Sequence, residues 1–171
     1  MRLSPSYWLA LLTLVLTGCA GYKVGPVNQE TAGDKSVQVI PFTNRTLEPN
    51  LTDAITTELR RRLQQDGTYR LATHDDGDII VSGVITSFRR TELTLDPQDT
   101  LAFRDYRIII TADVTARSRA TGKVLFTQTV TGQIMARAGN DLPSAERQAL
   151  PLVAEDLANK VVSLVAEGKW W

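Results

Sequence analysis

The chain is nearly without the side chains from which catalytic centres are usually assembled. It has one cysteine, Cys19, and one histidine, His74. A lone imidazole argues against a histidine-based metal site or a nucleophilic triad, and a lone thiol excludes an internal disulfide. No glycine-rich phosphate loop and no nucleophile–base pair can be read from the residue pattern. Charge is also missing as a signal: 19 basic side chains balance 19 acidic ones. With no net field to gather a polyanion, nucleic acid is not expected as a partner, although a local basic patch is still allowed. No apolar run approaches the ~20 residues of a membrane-spanning helix. These absences predict a protein that is no enzyme and holds no metal or cofactor.

What is present begins at the N-terminus. Arg2 precedes the apolar stretch Tyr7 to Leu16, whose length fits the roughly 7–15-residue core of a secretory signal. The run Leu16-Thr17-Gly18-Cys19 follows at once. It resembles the lipobox of bacterial lipoproteins; an ordinary signal followed by a chance cysteine is the plainer alternative. The resemblance implies cleavage before Cys19, diacylglycerol on its sulfur and a palmitate-type acyl chain on its amino group. More than one buried chain gives stable anchoring, at about 0.8 kcal/mol per CH₂. Residues 1–18 are then the signal, 19–35 a lipidated tether rich in turn residues, and 36–171 one domain with its own core. Losing Arg2 leaves one more acid than base, and lipidation of Cys19 removes the last thiol. Ala20 is not the aspartate associated by resemblance with inner-membrane retention, which places the anchor in the outer membrane, facing the periplasm.

The pattern of the domain is strand, helix, several strands, helix. Ser36 to Phe42 is β-branched and apolar on both faces, as in an interior strand. Asn50 caps a helix from about Leu51 to Asp66, with Leu51, Ile55, Leu59 and Leu63 on its apolar face and Gly67 at its end. Tyr69 to Ala72 forms a short strand. Ile79 to Phe88 forms a long one, in which Gly83 marks a bulge or a close approach. Arg89 to Arg104 is irregular, with a turn signal at Asp96-Pro97. From Asp105 to Arg117, Tyr106, Ile108, Ile110, Ala112, Val114 and Ala116 alternate with Arg107, Thr111, Asp113 and Thr115. That is a strand with one wet face. Thr121-Gly122 turns it into an antiparallel strand with Val124, Phe126, Val130 and Ile134 inward and Thr127, Thr129, Thr131 and Gln133 outward. Ser144 caps a closing helix whose stripe is Ala149, Leu150, Val153, Leu157, Val161 and Leu164; Pro151 predicts a kink or two segments. The expected fold class is α+β: two amphipathic helices on one face of a mixed, mostly antiparallel sheet of about four strands. The other face, rich in Thr and Arg, stays wet or meets a partner.

Other constellations have bland explanations. His74, Asp75, Asp76 and Asp78 lack the EF-hand spacing and its closing Glu, and read as a solvated turn. Arg60-Arg61-Arg62 reads as the wet side of a helix, though anionic head groups would suit it. Asp96 and Asp99 form a carboxylate pair with no sign of a cleft. Trp170 and Trp171 suit a membrane interface or a partner's pocket, and equally a frayed end. Asn44-Arg45-Thr46 and Asn50-Leu51-Thr52 match glycosylation acceptors, a meaning that a bacterial lipobox removes.

Taken together, Gly18-Cys19-Ala20-Gly21-Tyr22, Val37-Gln38-Val39-Ile40-Pro41-Phe42, Leu51-Thr52-Asp53-Ala54-Ile55, Asp105-Tyr106-Arg107-Ile108 and the terminal helix resemble the lipopolysaccharide-assembly lipoprotein family LptE. The resemblance covers nearly the whole chain beyond the signal. It implies a small sandwich of two helices against a mixed sheet. It also implies a non-enzymatic role inside the LptD outer-membrane β-barrel, assisting delivery of lipopolysaccharide. The family's basic loop positions do not carry over cleanly: counting back from Tyr106 reaches Asp99, and the second position falls near Leu142 or Pro143. The nearest cations, Arg89, Arg90, Arg104 and Arg137, are the candidates for contacting lipopolysaccharide, since the guanidinium fork suits phosphate. A solvated strand-end cluster is the plainer reading of the same four. The segment Val39 to Thr46 followed by a helix is also similar to LpoB- and CsgG-like modules, which implies instead an activator or scaffold of cell-wall synthesis or secretion.

Overall fold

A computed structural model describes residues 33–95, 103–137 and 142–167. The signal, Cys19, most of the tether, Asp96-Pro97, Asp99 and Trp170-Trp171 lie outside those residues. In chain order the elements are β1 (Ser36–Val39), β2 (Thr43–Asn44), α1 (Leu51–Asp66), β3 (Arg70–Ala72), β4 (Ile79–Leu95), β5 (Phe103–Ser118), β6 (Val124–Arg137) and α2 (Leu142–Glu167). Six strands make one sheet, ordered β3-β1-β4-β5-β6, with β2 also paired to β4. Pairings among β1, β2, β3 and β4 are parallel; β4–β5 and β5–β6 are antiparallel. The sheet is mixed, as expected, but has six strands and not about four. The extra strands are short: β2 is two residues long and exists only because its backbone meets Val84 and Ile85 of β4.

Both helices lie on one face of this sheet and pack on each other. Helix α1 follows its sequence pattern closely. Leu51, Ile55, Leu59 and Leu63 are buried, and Gly67, at φ 71°, ends the helix by donating its N–H to the Leu63 carbonyl. Asn50 differs from expectation. It sits at φ 62°, makes no side-chain cap, and contributes only its carbonyl, which accepts from the Ala54 N–H. Asparagine tolerates this left-handed backbone better than most residues, and that tolerance fits it to the position.

Helix α2 starts at Leu142, ahead of Ser144, and continues through Pro151 to Glu167 as one element. Pro151 is exposed, which gives its ring room on the solvent side. Beside the predicted stripe a second buried row, Ala154, Ala158, Val162 and Val165, appears because α2 packs against α1 as well as the sheet.

Strand β4 extends seven residues past Phe88, through the segment read as irregular, and pairs with β5 as far as Leu95 opposite Phe103. A register shift between Ile85 and Ser87 leaves Thr86 as the extra residue, so the bulge lies near Gly83 but not at it. Gly83 is instead a close approach: a Cβ there would collide with the Phe42 ring. In the β5–β6 pairing a shift between Ala116 and Arg117 puts Val124 opposite Arg117; Val124 is 45% exposed and does not join the inward face.

Candidate functional site

The sheet face opposite the helices is covered by no element among the described residues, so its side chains define the candidate site. Register aligns threonines across β5 and β6: Thr111 opposite Thr131 and Thr115 opposite Thr127, with hydroxyl oxygens 3.5 and 3.2 Å apart. Between them Thr129 donates to the Asp113 carboxylate at 2.7 Å. Thr86, at the bulge of β4, donates to the Thr111 carbonyl at 3.2 Å. The result is a polar strip of short, β-branched hydroxyl side chains aligned across neighbouring strands. It suits a polar wall laid against it better than an apolar one.

Towards the far ends of β4, β5 and β6 the same face becomes cationic. Arg89 lies opposite Ile109, Arg107 opposite Thr91 and Met135, and Arg137 opposite Asp105. Because register advances by two residues at each step, the three guanidinium-bearing positions run diagonally across three neighbouring strands, within reach for long side chains. Arg137 pairs with Asp105 at 3.3 Å, while Arg89 and Arg107 form no ion pair among the described residues. Met135 is 68% exposed beside them. Cations bordering an exposed thioether can bind an anionic amphiphile, phosphate to the guanidinium and chain to the apolar surface.

Of the four predicted arginines, the structure divides the members. Arg89 and Arg137 share the open face. Arg90 points to the helix side, where it pairs with Glu146 of α2 at 2.9 Å. Arg89 and Arg90 still meet at a groove beside β4, lined also by Thr46, Leu47, Glu48 and Phe88. Arg104 lies in β5, and its side chain is outside the description. Arg107 belongs to the diagonal but was read only as part of a wet face; alternation showed its side, and only register shows its neighbours.

The groove has its own electrostatics. Burial pushes the Glu48 carboxyl above the usual carboxylate range, neighbouring Glu146 pushes it further, and Arg90 partly offsets both. The loop carrying Glu48 is pinned by Asn44, which accepts from the Thr46 N–H and hydroxyl and donates to the Glu48 carbonyl. The Asn44 amide of the glycosylation-like triplet is thus engaged in a turn.

The remaining constellations serve the fold. Asp75 accepts from Gln38 at 2.7 Å, and Asp78 accepts from both the N–H and the hydroxyl of Ser36 at 2.8 and 2.7 Å. Those two bonds hold the Asp78 carboxyl below its ordinary range. The His74 ring meets the neighbouring Thr73 hydroxyl, and the His74 carbonyl accepts from the Asp76 N–H. Arg60 donates to the Val39 carbonyl, Arg61 pairs with Glu58, and Arg62 pairs with Glu155 of α2. The arginine run therefore ties α1 to β1 and α2. No group of three or more metal-ligating side chains occurs among the described residues, and no helix there is long and apolar enough to cross a membrane.

Residues 35–165 match the family LptE, described as lipopolysaccharide-assembly. No curated protein matches the chain. Among solved structures, a Xanthomonas campestris protein aligns with TM-score 0.60 and 11% identity, covering 85% of this chain and 91% of its own. A Chlamydia trachomatis protein aligns with TM-score 0.58 and 14% identity, covering 80% and 97%. A minor lipoprotein from Acinetobacter baumannii aligns with TM-score 0.51 and 15% identity, covering 77% and 92%. At such identities these structures are similar in fold alone.

Proposed function

The chain belongs to the LptE lipopolysaccharide-assembly family, and from that membership we propose that it is a lipid-anchored, non-catalytic subunit seated in an LptD-like outer-membrane β-barrel. Cys19 carries the lipid. The domain faces the periplasm and supports both the barrel's assembly and the insertion of lipopolysaccharide. The observation that carries this reading is the uncovered sheet face. Its Thr111, Thr115, Thr127, Thr129 and Thr131 strip is polar, and barrel lumens are polar. Arg89, Arg90, Arg104 and Arg137 are the proposed contacts for lipopolysaccharide, with Arg107 added by the register.

Photo-crosslinkers placed at Thr129 and at Thr57, which is exposed on α1, test the partner in intact cells. Thr129 should capture a large β-barrel and Thr57 should capture it less. A peptidoglycan synthase or a pore ring recovered from Thr129 would overturn the barrel assignment in favour of an LpoB- or CsgG-like role. For the ligand, replacing the four arginines with Gln should weaken lipopolysaccharide binding at fixed salt; unchanged affinity removes them from the site.

A further inference from the structure

Among the described residues strand β6 is an edge of the sheet, and it is 14 residues long. Long edges invite another strand to pair with them, and proteins usually blunt them. Backbone groups alternate in direction along a strand, so Thr131 and Gln133, two residues apart, turn their N–H and C=O groups the same way, and their partners on α2 show that way to be outward, away from β5. Neither outward group used here is bare. The Gln133 N–H donates to Asp156 Oδ2 at 2.8 Å, and the Thr131 carbonyl accepts from Lys160 Nζ at 2.8 Å. Lys160 and Asp156, one turn apart on α2, close the circuit at 2.7 Å.

A strand laid parallel to β6 would use one residue's N–H and C=O for these same two groups, which flank a single position. The ammonium and the carboxylate stand in for that residue. The placement depends on Gly132, where a Cβ would lie 2.7 Å from both the Val153 carbonyl and the Leu157 side chain. Without it α2 could not lie close enough to reach over the edge.

We infer that Asp156 and Lys160 form a clasp that closes the middle of the β6 edge to strand addition, leaving only short stretches on either side. A partner of this protein must then engage side-chain surfaces and not extend the sheet through the centre of β6. The inference holds whichever partner the open face meets.

Hydrogen exchange of the full chain in detergent, resolved at single amides, tests the clasp. In the wild type the Gln133 amide should exchange slowly although it faces away from β5. In the double variant D156A/K160A it should exchange about tenfold faster, the scale of losing one charge-assisted bond, while the Gly132 amide is unchanged. The same variant should self-associate in sedimentation at concentrations where the wild type does not. D156N keeps an acceptor oxygen and should preserve slow exchange. Fast exchange at Gln133 in the wild type, equal acceleration of Gly132, or no self-association once Gln133 is freed would each overturn it.

Discussion

Along β5, Ile108, Ile110, Ala112, Val114 and Ala116 are buried, while the residues between them, Ile109, Thr111, Asp113 and Thr115, are half-buried or exposed. The two faces of one strand thus have different tasks. The inner face is filled by branched and small apolar side chains under two helices, where each methylene removed from water stabilises the fold. The outer face has shape, hydrogen-bonding groups and charge, and contributes little burial. Substitutions should therefore separate cleanly: inner ones change stability, outer ones change what the protein touches. The sharpest contrast is between Leu157, fully buried, and Thr129, exposed. L157A should destabilise the domain by about 2–5 kcal/mol through lost transfer energy and a cavity. T129A should stay within about 0.5 kcal/mol of wild type. Urea unfolding of both decides it, and an equal loss in T129A would mean the outer face is structural after all.

Gly132 tests how far the two faces are independent. It sits on the inner side of β6, yet its missing Cβ sets how closely α2 approaches, and so whether Asp156 and Lys160 reach the edge. G132A should cost about 1–3 kcal/mol from overpacking, because the nearest atoms include backbone that cannot swing aside. It should also speed exchange at Gln133 without altering any polar residue. A stable G132A with a normal Gln133 amide would show that the helix can shift and that packing does not position the clasp.

Periodicity made much of this architecture legible. Leu51, Ile55, Leu59 and Leu63 fixed α1, and the two-residue alternation fixed the faces of β5, because each element buries a single side. The distal part of β4 escaped notice for the opposite reason. Arg89 to Thr91 lie where the sheet is open to solvent, so no apolar beat marks a strand that pairing with β5 nonetheless forms. Strand β2 is two residues of backbone with no pattern at all. The Arg89–Arg107–Arg137 diagonal and the clasp are long-range: they depend on register and on helix placement, which local sequence does not encode. Pro151 is the mirror case, a strong local signal of which the two-segment alternative fails, since α2 runs through it as one helix.

Two carboxylates moved in opposite directions give the smallest effects and a second contrast, between the start of β4 and its groove. Asp78 is held below its ordinary range by Ser36, so its contribution is fully present above the unfolded pKa of about 3.9 and is lost as pH falls through the lower folded value. Asp78 is largely exposed, which limits the effect to under about 1 kcal/mol. D78A should therefore be less stable than wild type at neutral pH, with the gap closing below about pH 4. Glu48 works the other way. Its carboxyl is raised, chiefly by burial and then by Glu146, so its ionised form destabilises the fold. E48Q should be slightly more stable than wild type at neutral pH, by about 0.5 kcal/mol or less. The difference should vanish as pH falls through the raised folded value towards the unfolded value of about 4.3, where wild-type Glu48 takes up its proton. Urea midpoints at pH 7, 5 and 3 for both variants read the two signs directly. A loss of stability in E48Q at pH 7 would mean that the attraction of Arg90 outweighs the burial and the repulsion from Glu146.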